Sequence, residues 1–175
     1  MSMTPQVRKV ALIAHVTCSV GWIGAVAGFL ALAIAGALGT DEPRVRAMYV
    51  AMEAIGWFVI VPLSMASLIS GVIQSLGTEW GVFRHYWVAI KLLINLLAIA
   101  VLMLHMLPVG SLAGAAASGP LTDAGLGRMQ IQMVVAAGAA ILVLLVATAL
   151  SVFKPRGVTR QGHRQARRST APASA

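Results

Sequence analysis

MQIQMVVAAGAAILVLLVATALSVF, residues 129–153, carries no formal charge from Met129 to Phe153. Crossing a hydrocarbon layer of about 30 Å takes about 20 helical residues, so this stretch alone is long enough to span one. Three further runs meet the same requirement: Val10 to Leu38, with no formal charge; Met48 to Leu76, interrupted by Glu53; and Tyr86 to Val109, which contains Lys91. The chain as a whole is 59% hydrophobic and 10% charged, with a mean hydropathy of +0.87. A soluble domain of 175 residues needs a far larger polar surface to cover itself. The fold these runs predict is all-α, a polytopic membrane protein built as a four-transmembrane-helix bundle.

The connections carry helix breakers. Gly39 to Pro43 closes the first hairpin, with Thr40 or Asp41 placed to cap the next helix. Gly77 to Gly81 closes the second. The stretch from Pro108 to Asp123, rich in Gly, Ala and Ser, is expected to be a longer, mobile loop. Arg8 and Lys9 followed by an apolar run resemble a signal peptide, but the run is about twice an h-region of 7–15 residues, and it contains His15. It is expected to be a retained helix.

Net charge is +8, and six of the 13 Lys and Arg residues lie between Lys154 and Arg168. Residues 155–175 therefore form a basic tail, too poor in apolar side chains to fold alone. Its position directly after an apolar run favours anionic lipid headgroups as the partner over nucleic acid. With the N-terminus on the cytoplasmic side, that side holds Arg8, Lys9, Arg84 and the six tail cations, against Arg44, Arg46 and Arg128 on the other. This positive-inside bias puts both termini in the cytoplasm. Trp80, Tyr86 and Trp87 then occupy the inner interfacial belt. Arg outnumbers Lys ten to three, and Ala and Gly abound, which points to GC-rich coding and a bacterial plasma membrane. One cysteine, Cys18, excludes a disulfide framework and a Cys-cluster metal site, and no metal site is expected.

Helical periodicity sorts the polar residues onto faces. His15, Cys18, Ser19 and Trp22 share one face of the first helix. Glu53, Trp57, Ile60, Ser64, Ser67, Gly71 and Gln74 line the second; Arg84, Lys91, Asn95, Ala98 and His105 line the third; Arg128 and Gln132 are neighbours on the fourth. Gly21, Gly24 and Gly28 are expected to be contact surfaces within the bundle, as are Ser67 and Gly71. Pro62 falls inside the second run as a tolerated kink. Counting rise from the ends gives two layers. His15, Lys91, Asn95 and Arg84 form an inner polar layer; Glu53, His105 and Gln132, with Arg128, form an outer one. Ionisable groups inside a membrane are costly and tend to be functional.

The segments HVTCSVGWIG (15–24), GWFVIVPLS (56–64) and GVFRHYWVAIK (81–91) resemble a family of uncharacterised integral membrane proteins common in actinobacteria. The resemblance covers roughly residues 8 to 109. More remotely, the His15…Trp22-Ile-Gly and Trp87…Lys91 patterns are similar to HemJ-type protoporphyrinogen oxidases and CopD-type copper-resistance proteins, which are helical bundles. That similarity implies a haem-, porphyrin- or copper-linked role for His15 and Lys91. His15 and His105 differ by about 20 Å along the helix axes and cannot ligate one haem, so a single His ligand, or a propionate on Arg84 or Lys91, is the open arrangement. Met103 and Met106 beside His105 are read as packing.

Three functions follow as expectations. One is a non-catalytic or accessory membrane subunit, as a homo- or hetero-oligomer. A second is a haem-, porphyrin- or quinone-binding protein using His15 and Lys91. The third is a proton-linked transporter using Glu53 and His105.

Overall fold

The structure, a computed structural model, describes residues 3–76, 86–119 and 124–153. All of its regular elements are helices: α1 (Pro5–Leu38), α2 (Glu42–Ile55), a π-helical turn (Gly56–Ile60), α3 (Val61–Leu76), α4 (Tyr86–Ser118) and α5 (Ala124–Phe153). The segment from α2 through α3 is one continuous rod, so the chain forms four rods, each long and apolar enough to cross a membrane. α1 packs on α3, α5 and α2, whereas α4 packs on α2, α5 and α3. The rods therefore follow one another around the bundle, with α1 and α4 across the diagonal and both termini at one end. The outward faces are apolar, with Phe58, Leu104, Leu107 and Leu142 all exposed. An apolar surface of that extent suits lipid as solvent, and the chain has the features of a multi-pass membrane protein.

The helices outrun the charge-free runs that reveal them. α1 begins at Pro5, where proline suits the first turn and the Thr4 hydroxyl caps the amide of Val7 at 3.4 Å. α2 begins at Glu42 with Asp41 at the cap position, although the Asp41 side chain makes no capping bond and instead pairs with Arg44 at 3.7 Å. α5 begins at Ala124 in place of Met129.

The largest difference is in α4. It continues through Pro108 to Ser118, where a loop from Pro108 is expected from composition. Proline removes one backbone donor, but the Ala-rich segment beyond it has strong helix propensity and buries Val109, Leu112, Ala113 and Ala116. The Arg46 guanidinium on α2 completes this end. Its Nε donates to the carbonyl of Ala116 and its Nη2 to that of Ala117 at 3.2 Å, satisfying terminal carbonyls that the helix cannot pair itself.

Pro62 does more than kink. The amide of Val61 bonds the carbonyl of Gly56, five residues back, and so closes a π turn immediately before the proline. Widening the helix there relieves the clash between a proline ring and the carbonyl four residues earlier. The inserted residue also rotates what precedes it. Gly56 is buried and Trp57 is 46% exposed, so the inward stripe runs through Met52, Gly56, Ile60, Ser64 and Ser67. Trp57 faces outward, against the uniform-helix expectation.

Small residues set the spacing where helices come closest. A Cβ on Gly36 would stand 2.8 Å from Cζ of Tyr49, and one on Gly56 would meet Sδ and Cε of Met106. Gly24 and Gly28, expected inside the bundle, have nothing within 4 Å and lie on the exposed face of α1; Trp22, Val26, Phe29 and Ala33 make the contacts instead.

Full burial is distributed unevenly. α4 buries no residue from Val88 to His105 and five from Met106 to Ala116, and α1 buries none before Trp22. Burial on α1 and α4 thus concentrates away from the start of each helix, whereas the α2–α3 rod and α5 also bury Ser64, Ser67, Leu144 and Ala147 in their later halves.

Gly36→Ala is expected to destabilise the fold by about 1–3 kcal/mol through overpacking against a rigid ring, while Gly24→Ala leaves thermal unfolding in detergent unchanged. Replacing Arg46 with Met keeps the stem and removes the carbonyl bonds. The amides of residues 113–118 should then exchange roughly 5- to 10-fold faster, the equivalent of a lost hydrogen bond or two.

Candidate functional site

Where α1 meets α3, four polar side chains converge. His15 Nδ1 lies 3.1 Å from the carbonyl oxygen of Ser67 and 3.1 Å from Ser70 Oγ. One turn along, Ser19 Oγ and Ser67 Oγ are 2.8 Å apart. Gly71 makes this approach possible, since a Cβ there would sit 3.0 Å from His15 Cε1. The helical period brings Ser67, Ser70 and Gly71 to one side of α3, and the absence of a side chain at Gly71 leaves room for the imidazole.

The protonation pattern follows from the partners. A carbonyl can only accept, so the bond to Ser67 O requires the proton on Nδ1. Ser70 spends its own hydroxyl proton inside α3, on the carbonyl of Ala66 at 2.6 Å, and offers lone pairs to His15. In the neutral ring, Nε2 then carries the lone pair. Nε2 makes no hydrogen bond among the described residues. A histidine whose Nδ1–H is held by a backbone carbonyl has the tautomer used for ligation and for hydrogen-bond acceptance at Nε2.

Lys91 on α4, across the bundle, is within electrostatic reach of His15. Asn95 is one turn further along α4 and donates through Nδ2 to the carbonyl of Lys91 at 2.9 Å. Arg84 lies outside the described residues. Of the expected inner layer, the structure places His15, Lys91 and Asn95 in the same half of the bundle.

The outer layer is more scattered. Glu53 Oε1 lies beside Gly110, 3.3 Å from where a Cβ would be. His105 is five residues back along α4, about 7.5 Å by helical rise, with its Nε2 buried and lacking a partner among the described residues. Arg128 and Gln132, expected on an inward stripe, are exposed, because Met133, Ala137, Leu144 and Ala147 form the inward face of α5. No three His, Cys, Asp or Glu side chains converge among the described residues.

Ser70 and Tyr49 escaped the sequence reading, and Arg46 entered it only as a loop cation. The signal for Ser70 is weak but present: Ser67-x-x-Ser70-Gly71 inside an apolar run puts two hydroxyls and a gap on one helix face. Comparison with protein-family models, curated proteins and solved structures finds no match to this chain.

Gly71→Ala is expected to press the imidazole off the Ser67 carbonyl. Nitrogen NMR of the labelled histidine would then show Nδ1 losing its hydrogen-bonded shift; an unchanged shift would mean that the ring is not held there.

Proposed function

We propose that this protein is a non-catalytic, accessory multi-pass membrane protein. In the half nearest its termini it holds a lipid-soluble ring compound of tetrapyrrole or quinone type. The observation that carries this reading is the fixed imidazole of His15. Its Nδ1 is tied to α3, which fixes Nε2 as an acceptor that no described residue uses. The sparse burial of α4 from Val88 to His105 supports a place for a flat amphiphile along that stretch. For a tetrapyrrole, Nε2 supplies one axial ligand and Lys91 a partner for an acidic substituent.

Charge supports the orientation. Cations at the termini end and in the tail outnumber those at the far end, which places both termini in the cytoplasm and the site at the inner leaflet of a bacterial plasma membrane. The basic tail rests on anionic headgroups. The remote resemblance to HemJ- and CopD-type bundles points the same way for His15 and Lys91. Among the described residues no side-chain hydrogen bond involves Glu53 or joins it to His105, whose buried Nε2 lacks a partner, so transport is the weaker reading.

Detergent-purified protein titrated with haemin, and with a short-chain quinol and its quinone, is expected to retain at least one of them. His15→Ala should weaken that retention about 10-fold or more, the scale of a lost ligand or charge-assisted bond. Protein indifferent to all of these compounds would end the proposal.

A further inference from the structure

Resting on the binding reading above, we infer that the group His15 recognises is a hydroxyl donor, so that the ligand is a lipid-soluble phenol or hydroquinone in preference to the matching quinone or ether. Two oxygens lie within hydrogen-bond distance of Nδ1 and account for its proton. The Ser67 carbonyl at 3.1 Å can only accept. Ser70 Oγ is also at 3.1 Å, but its proton is held by the Ala66 carbonyl at 2.6 Å. The Ser67 hydroxyl is engaged with Ser19 at 2.8 Å. No neighbour can therefore donate to Nδ1, and the alternative tautomer would set two lone pairs against each other.

This leaves Nε2 as an obligate acceptor. A hydroxyl proton satisfies it; a quinone carbonyl or an ether oxygen presents only lone pairs and leaves it unmatched, at a cost larger than an ordinary hydrogen bond in an apolar setting. Discrimination of this kind, between groups that differ by one hydrogen, comes from polar sites and not from apolar slots.

The test uses the full chain in detergent micelles and two probes with the same apolar tail, nonylphenol and its methyl ether, measured by equilibrium dialysis. The phenol is expected to bind about 5- to 10-fold more tightly, the worth of one hydrogen bond. His15→Phe should abolish the difference, and Ser70→Ala, which leaves the Ser67 carbonyl in place, should preserve it. Equal affinity for the two probes overturns the hydroxyl inference and leaves the binding reading standing. Tighter binding of the ether overturns it too, as does a phenol preference that survives in the His15→Phe protein. Binding of neither probe overturns the inference, while the haemin and quinol titrations decide the binding reading. The comparison in unmodified protein decides the matter even where a variant fails to fold.

Discussion

In an apolar solvent every polar group must find its partner within the molecule, because no water is there to supply one. That constraint organises this structure. Most hydroxyls turn back onto their own helix: Ser64 to Val61, Ser70 to Ala66, Ser111 to Leu107, Thr148 to Leu144 and Ser151 to Ala147. Asn95 does the same toward Lys91. Used this way, a polar side chain costs little and adds nothing to helix association. The bonds that leave their helix are few among the described residues, and they fall at two places. His15 and Ser19 reach Ser67 and Ser70 near the termini end, and Arg46 reaches the last carbonyls of α4 at the far end.

These two clusters differ in completeness. The guanidinium of Arg46 is consumed in capping α4, and it explains why a Gly- and Ala-rich segment stays helical beyond a proline. The imidazole of His15 is half consumed: one nitrogen joins α1 to α3, and the other bonds no described residue. Close packing of Tyr49 on Gly36 and of Met106 on Gly56 belongs to the end opposite the termini. The polar residues His15, Lys91 and Asn95 lie on the sparsely buried stretches of α1 and α4.

The π turn shows how one local defect changes the assignment of faces. Counting 100° per residue through Gly56–Ile60 places Trp57 inside. With the carbonyl of Gly56 bonded to the amide of Val61, the count slips by a residue. A glycine takes the inward position, letting Met106 approach, while Trp57 and Phe58 turn outward. The error is confined to the stretch before Pro62: Ser64 and Ser67 beyond it are buried as periodicity predicts.

Sequence alone determined that the chain is a set of four long apolar helices, because hydrophobic run length is a local property that lipid-scale dimensions convert directly into structure. It also singled out His15 and Lys91, since ionisable residues are conspicuous in such runs. Which groups meet was decided by the tertiary structure. The partner of His15 is a backbone carbonyl, which has no sequence signature. The cap of α4 comes from Arg46, far away in the chain. Gln132, Gly24 and Gly28 face outward because helix rotation is set by packing against neighbours, and in a helix apolar on nearly every side the pattern of residues holds too little contrast to fix that angle.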